Sequence, residues 1–187
     1  MPGKPIAERK PEHPISGEFL REIIFGANDG VVTAIGFLMG ISGTVSQQKI
    51  IVLSGVLTII AGSVSMTLGN YLGVKSQNEY FENKDSASWI ELNPILAGII
   101  MGVSYLLAGF PPLLPFIVVK PTARALVMSI IVAIFVMGAI GFVRWTLNKN
   151  NLRGKIVETV VIGIIAAGIG FLVGEVLNFL GISGVSV

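Results

Sequence analysis

The chain has 187 residues, of which 52% are hydrophobic and 13% are charged, and its formal net charge is +2. A soluble domain of this size could not bury so much apolar surface, so the composition excludes an ordinary soluble fold. The chain has no cysteine and a single histidine, which excludes disulfides, thiolate metal sites and any multi-histidine site within one subunit.

The polar, proline-rich residues 1–17 come first and lack the apolar centre of a signal peptide, so we predict a flexible cytoplasmic tail. Residues 18–187 contain five segments almost free of charge, each close to the ~20 residues that a helix needs to cross the hydrocarbon core. Their hydrophobicity is continuous and does not alternate as in strands. We therefore predict an all-α membrane protein with five transmembrane helices, at about 19–43, 50–75, 93–117, 122–146 and 155–180.

The orientation follows from the basic residues, which are retained on the cytoplasmic side of a membrane protein. With the N-terminus inside, only Lys49, Lys120 and Arg124 of the 13 Lys and Arg residues fall on the outer side. This bias predicts a cytoplasmic N-terminus and a C-terminus on the far side. The retention of Lys and Arg on the cytoplasmic side also explains the positive net charge of the chain. A nucleic-acid partner is therefore not needed to account for it.

Small residues and prolines recur within the predicted spans. Pairs at four-residue spacing, such as Gly26/Gly30 and Gly170/Gly174, let helix backbones approach closely in lipid. They favour a tightly packed bundle and are compatible with a dimer. The Pro111-Pro112-Leu113-Leu114-Pro115 run should break the third helix near the far interface, because proline removes a backbone donor and clashes with the preceding turn.

Asp29 is an acid inside the first predicted span, where an ionised carboxylate is costly unless it faces a protein or aqueous interior. At 100° per residue, Glu18, Glu22 and Asp29 fall within about 40° of each other, so they form one stripe from the cytoplasmic interface inward. A cation pathway needs such a stripe. Alternatively, Asp29 makes a structural contact between helices, and the two glutamates are solvated acids near a helix start. Glu158 and Glu175, in the fifth segment, are interpreted as structural or interfacial.

The second span carries a matching polar stripe. Met66, Asn70 and Gln77 again lie within about 40° on a helix, with Ser63 beside them. Met66 is either a ligand or an ordinary packing residue, since methionine fits any apolar setting. We take Asn70, Ser63, Gln77 and also Asn28 as secondary pathway candidates.

A carboxylate and a thioether together suit a divalent transition metal. Na⁺ and Ca²⁺ prefer sites made only of oxygen ligands, whereas sulfur favours softer ions. Fe²⁺ and Mn²⁺ are therefore the leading candidate substrates.

Two runs resemble the signatures of the vacuolar iron transporter family of iron and manganese carriers. The run from Arg21 to Thr33 contains Gly26-Ala27-Asn28-Asp29-Gly30, which is similar to the family's Gly-x-x-Asp-Gly. The run Ala61-Gly62-Ser63-Val64-Ser65-Met66, with Gly69-x-Tyr71 after it, resembles the second signature. The resemblance covers essentially the whole membrane portion.

This resemblance implies a five-span subunit that forms a homodimer, with a path between the two first spans and metal moved against protons. It implies that Asp29 and Met66 are metal ligands of the path, and that Glu18 and Glu22 are acids on its cytoplasmic side. No cofactor is expected besides the transported ion.

Two features depart from the family pattern. Asn70 stands where members usually have glutamate, so one acidic ligand or proton carrier is absent. The glutamate-rich cytoplasmic domain of many members is reduced to residues 76–92, as in the short, nodulin-like members. Both departures concern metal selectivity and proton coupling.

The leading hypothesis is a homodimeric carrier that moves Fe²⁺ or Mn²⁺ out of the cytoplasm, in the cell membrane of a prokaryote or a vacuolar or other endomembrane of a eukaryote. The alternative is a nontransporting membrane subunit whose buried polar residues only hold helices together. An enzyme is not expected, because the spans offer no nucleophile–base or multi-histidine constellation.

Overall fold

The computed structural model describes residues 19–82, 92–148 and 151–181, and these ranges contain no β-strand. The helices are α1 Leu20–Thr44, α2 Gln48–Glu82, α3 Pro94–Gly109, α4 Leu114–Val118, α5 Thr122–Asn148 and α6 Leu152–Phe179. Five segments are long and apolar enough to cross a membrane, with α3 and α4 forming one crossing. The predicted all-α fold with five spans is confirmed, and the chain is an integral membrane protein. The predicted tail, residues 1–17, and Glu18 lie outside the described residues.

The second helix extends beyond the predicted span. The span was predicted at about 50–75, and α2 runs from Gln48 to Glu82, so Gln77 lies on the same helix as Met66, as the polar stripe requires. A helix can continue beyond the apolar layer into water. The Asn78 side chain donates a hydrogen bond of 2.7 Å to the Leu92 carbonyl and so ties the end of α2 to the segment before α3.

The proline run interrupts the third crossing as predicted. α3 begins with Pro94, after Asn93 caps the free amides of Ile95 and Leu96, and it ends at Gly109. A 3-10 turn over Pro111–Leu113 follows, and the crossing resumes as α4.

Backbone groups freed by this break need partners, because lipid offers none. Ser129 on α5 donates a hydrogen bond of 2.6 Å to the Pro112 carbonyl. The Gln48 side chain donates to the carbonyls of Phe116 and Val119. The break is thus stabilised from two neighbouring helices.

Short connections make successive crossings antiparallel, so the bundle has two ends. We call proximal the end with Leu20, Glu82, Pro94 and Leu152, and distal the end with Thr44, Gln48, Val118 and Thr122. The orientation prediction places the proximal end in the cytoplasm.

The central helix of the bundle is α1, which contacts α2, α3, α5 and α6. Its tightest contacts are made by glycines. A Cβ on Gly30 would collide with the Tyr105 carbonyl oxygen of α3, and one on Gly174 of α6 would collide with the Gly40 carbonyl oxygen. The pairs Gly26/Gly30 and Gly170/Gly174 are therefore points where helix backbones touch, as such pairs allow in membranes.

Three clusters of buried apolar residues lie among the described residues, and the smallest, at the proximal end, consists of Phe19, Val74 and Ala97. The distal core lies between α1, α2, the α3–α4 crossing and α5, and consists of Ala34, Leu38, Ile51, Ile59, Tyr105, Leu113, Phe116 and Ala125. A second cluster joins α1 to α5 through Val31, Ile35, Ala133, Met137 and Ile140. Large side chains such as Leu53, Phe135 and Leu172 are exposed, as expected of a surface that faces lipid.

Candidate functional site

Asp29 lies well inside α1, and its side chain is half-buried. The neighbouring face of α1 carries Gly26 and Gly30, where a Cβ would collide with the carbonyl oxygens of Met101 and Tyr105 on α3. The α1 backbone therefore touches α3 on both sides of Asp29 along the helix. This contact holds the carboxylate beside α3 at a fixed height in the bundle.

Tyr105 connects three helices next to Asp29. Its ring starts on α3 opposite Gly30, is 2% exposed, and brings the phenol hydroxyl against Gly62 of α2. Tyr105 thus spans the distance from Gly30 of α1 to Gly62 of α2.

Met66 follows Gly62 by one helical turn, about 6 Å toward the proximal end. Asp29 immediately precedes Gly30, whose position meets the Tyr105 backbone. Both residues therefore lie within about one turn of the level of Tyr105.

A cavity of about 310 Å³ opens on the proximal side of this level. We call it the proximal cavity; it is lined by Arg21, Phe25, Met66, Gly69, Asn70, Gly73, Val74, Gln77 and Met101. The structure thus brings Met66, Asn70 and Gln77 together along one wall. The Asn70 Nδ2 atom is buried and has no hydrogen-bond partner among the described residues. The Asn70 amide nitrogen could therefore donate a hydrogen bond to a ligand, whereas a metal ion would bind the side-chain oxygen of Asn70 or Gln77, or the Met66 sulfur.

Asn28 faces a different opening. The lateral groove, of about 570 Å³, is lined by Leu20, Arg21, Ile24, Phe25, Asn28, Arg144, Glu158 and Ile162. Within it Arg144 forms an ion pair of 3.1 Å with Glu158 and donates a hydrogen bond of 2.9 Å to Thr159. Arg21 and Phe25 line both the groove and the proximal cavity, so this part of α1 is a ridge between two openings.

Two predicted candidates are enclosed by protein. The Ser63 hydroxyl donates a hydrogen bond of 2.8 Å to the Gly102 carbonyl, so it joins α2 to α3. Glu22 is 1% exposed; its Oε1 lies 3.7 Å from Arg21 Nη1, and its Oε2 has no hydrogen-bond partner within the described part of the chain. The acidic stripe thus runs along the side of α1 that meets α3. Glu18 is not among the described residues.

Sequence reasoning missed two residues near this site. Met101 adds a second thioether to the proximal cavity, and Tyr105 packs against Gly30, the residue after Asp29. Met101 and Tyr105 lie four residues apart on α3, a spacing that puts them on one helix face. A search for polar or sulfur-bearing side chains on the glycine-containing faces would have found them.

Over the three described ranges, no group of three His, Cys, Asp or Glu side chains is placed to hold a metal ion. Ligands for an ion at Asp29 would then include sulfur, amide or backbone groups of the same subunit, or carboxylates of a second copy.

These features define a helical membrane protein with a cavity lined by thioethers and amides at its proximal end and an acid, Asp29, inside its first span. Comparison with known proteins places it more closely: the model of the VIT family matches residues 20–92 and 82–175. The chain therefore belongs to the VIT family, and the resemblance seen in its two motifs is confirmed.

Individual relatives agree over most of their length. The chain is 25% identical to the "Vacuolar iron transporter" of Centaurea cyanus, with 89% of this chain and 91% of that protein aligned. It is 25% identical to "Vacuolar iron transporter homolog 2.1" of Arabidopsis thaliana, over 90% and 86% of the two chains. "Protein CCC1" of Saccharomyces cerevisiae is 23% identical over 85% of this chain and 69% of its own length.

The alignments also concern the segment between the second and third spans, which the sequence predicts to be short. The alignment with the Centaurea protein spans 222 residues, whereas that with homolog 2.1 spans 188. Extra residues in the longer relative produce such a difference. The two matches to the family model meet at residues 82–92, between α2 and α3. A reduced connection at this place agrees with both observations.

Proposed function

We propose that this protein is a divalent transition-metal carrier that moves Fe²⁺ or Mn²⁺ out of the cytoplasm in exchange for protons. Its membership of the VIT family and the names of its relatives support metal transport. The observation that carries the proposal is an acid, Asp29, inside a membrane-spanning helix, one helical turn beyond Phe25, which lines the proximal cavity together with Met66 and Met101. A carboxylate beside thioethers suits a soft divalent ion better than Na⁺ or Ca²⁺.

In this proposal the ion enters at the proximal end, and Asp29 binds it with Met66. Met101 and Asn70, which line the same cavity, supply further sulfur and amide ligands. The two cations compete for one negative charge, so a carboxylate that binds either the metal or a proton gives antiport a direct physical route. Gln77, Ser63 and Asn28 are secondary: Gln77 lies along the cavity wall, Ser63 fixes α2 to α3, and Asn28 faces the lateral groove.

The acids near the start of α1 belong to the same proposal. Glu22 and Glu18 would draw cations toward the proximal end. For Glu22 this requires the α1–α3 contact that now buries its side chain to loosen while the ion enters. The partners are divalent metal ions, protons and lipid, in the cell membrane of a prokaryote or in a vacuolar or other endomembrane of a eukaryote.

The active form in this proposal is a homodimer. The ridge of α1 between the two openings carries Phe25, which is 53% exposed although it lies close to polar residues. A second copy placed against this ridge would cover Phe25 and bring a second Asp29 near the first. Two subunits would then supply the carboxylates that one subunit does not group together.

The test is metal uptake into proteoliposomes. Wild-type protein should take up Fe²⁺ under reducing conditions, and Asp29→Ala should lower the initial rate to the level of empty vesicles while the purified dimer stays intact. Glu175→Gln is the matched control, because it removes one acid from the exposed side of α6, away from the cavity. Unchanged uptake by Asp29→Ala would refute the proposal. If the wild-type protein takes up no metal and Asp29→Asn destabilises the dimer, the results would instead support a nontransporting subunit.

Proton exchange is tested in the same vesicles. With the cytoplasmic side facing outward, an acidic lumen should accelerate uptake, and collapsing the gradient with a protonophore should remove the acceleration. An uptake rate that does not depend on the proton gradient would contradict antiport but would not contradict metal transport. Parallel measurements with Fe²⁺, Mn²⁺, Co²⁺ and Zn²⁺ would identify the preferred ion.

A further inference from the structure

We propose that a groove between α2 and α4 at the distal end binds an anionic phospholipid, with the lipid phosphate between Lys49 and Lys120 and an acyl chain along the apolar wall beside them. This distal groove has a volume of about 460 Å³, and its lining includes Lys49, Val52, Leu53, Val56, Ile117 and Lys120. It lies at the opposite end of the bundle from the proximal cavity. The proposal is therefore independent of metal transport.

The two lysines lack a counter-charge on the helices around them. Lys49 is near the start of α2 and Lys120 follows α4, and neither forms an ion pair within the described ranges. The sequence has no Asp or Glu at residues 30–78 or 92–157, which include the distal half of α2, the α3–α4 crossing and α5. Glu175 lies on α6, which packs mainly against α1 and α5. The protein around the distal groove therefore does not neutralise these two charges.

The two lysines are also held close to each other. The Gln48 side chain donates hydrogen bonds to the carbonyls of Phe116 and Val119, and so attaches the start of α2 to the end of α4. Lys49 follows Gln48 in the chain, and Lys120 follows Val119. The segments that carry the two ammonium groups are thus joined before any ligand binds, which lowers the ordering cost of binding.

The wall of the distal groove favours a lipid over a free anion. Val52, Leu53 and Val56 line it from α2, and Ile117 lines it from α4. Leu53 and Ile117 are 62% and 54% exposed, so the groove is open toward the acyl chains of the bilayer. Basic pockets between transmembrane helices bind anionic headgroups. A free phosphate would use the lysines but not the apolar wall, whereas a phospholipid uses both.

Lipid binding is tested by titrating dioleoyl-phosphatidylglycerol into the detergent-solubilised protein and counting bound lipids by native mass spectrometry. Dioleoyl-phosphatidylcholine, which is zwitterionic, is the comparison lipid and should bind about tenfold more weakly or less. The double variant Lys49→Gln, Lys120→Gln should lose affinity for phosphatidylglycerol roughly 25-fold, because each basic residue beside an anionic lipid contributes about fivefold. Arg124→Gln is the matched control, since it removes an exposed positive charge from the same end but outside the groove. It should leave the affinity unchanged.

The acyl-chain path has its own pair of variants. Leu53→Trp fills the distal groove from its open side and should weaken phosphatidylglycerol binding. Leu57→Trp makes the same change one helical turn further along α2, where the side chain is 59% exposed and does not line the groove. It should bind the lipid as the wild type does. Both positions are exposed, so neither change disturbs the core.

Equal affinity for the two lipids, or equal losses in Arg124→Gln and in the double lysine variant, would overturn the proposal, because the lysines would then act only as interfacial charges. Wild-type binding by Leu53→Trp would also overturn it. If glycerol phosphate displaces phosphatidylglycerol at equal concentration, the groove binds a phosphate anion and not a lipid. These measurements use no metal, so their outcome is separate from that of Asp29→Ala.

Discussion

The proximal and distal halves of this bundle are built from the same helices but in opposite ways. In the proximal half, α1, α2 and α3 separate around a cavity lined by Met66, Asn70 and Met101. In the distal half, the same helices close on Leu38, Ile59 and Leu113, each exposed by no more than 1%. The comparison indicates that the cavity beside Met66 enters the bundle from the proximal end, whereas the centre of the distal half is packed. The proposed ion path would therefore require this distal core to open.

We expect substitutions at the boundary between the two halves, where Gly30 of α1 meets Tyr105 of α3, to destabilise the protein most. Gly30→Ala adds a Cβ that collides with the Tyr105 carbonyl oxygen, and backbone can move only if α1 and α3 separate. We expect a loss of about 3 kcal/mol or more, at the upper end of what overpacking costs. Thermal unfolding in detergent, followed by the size-exclusion peak, measures this loss.

Gly43→Ala is the control for this change, because it makes the same substitution on α1 where a Cβ meets nothing within 4 Å. Equal melting temperatures for the two variants would contradict the close α1–α3 contact.

The closed packing of the distal half can be tested with two leucines of one crossing. Leu113 is fully buried, whereas Leu107 is 67% exposed on the lipid side. Leu113→Ala should destabilise the protein by about 2 kcal/mol, the low end of core truncations, because helices in lipid lose packing but little transfer energy. Leu107→Ala should have almost no effect. The melting temperatures of the pair measure this difference, and a larger loss for Leu107→Ala would show that the distal half is not closed as described.

The polar character of the proximal half can be strengthened at Asn70, whose buried Nδ2 atom lacks a hydrogen-bond partner in the described ranges. Asn70→Asp puts a carboxylate in the cavity, and opposite charge should lower the KM for metal about tenfold or less, equivalent to at most ~1.4 kcal/mol. Asn151→Asp is the control, since it makes the same change at the N-cap of α6. An unchanged KM in Asn70→Asp would show that the ion does not approach this wall.

Much of the site was predictable because its residues follow helical periodicity. Asp29 was recognisable as an acid in an apolar segment, and Met66, Asn70 and Gln77 as one stripe. The structure places the last three on one cavity wall. Glu22 could not be placed from sequence, since the stripe gives its angle on α1 but not the helix that covers it. Tyr105 was missed because an isolated tyrosine in an apolar span carries no periodic signal.

The sequence by itself determined the number of spans, the break at the prolines and the presence of an acid in α1. Hydrophobicity, proline geometry and the cost of charge in lipid act locally, and each can be read from neighbouring residues. Only the tertiary structure decided that Ser63 joins α2 to α3 and that Tyr105 meets Gly30 and Gly62. Those contacts depend on the register between helices far apart in the chain. That register is set by where glycines let backbones touch, which no single segment specifies.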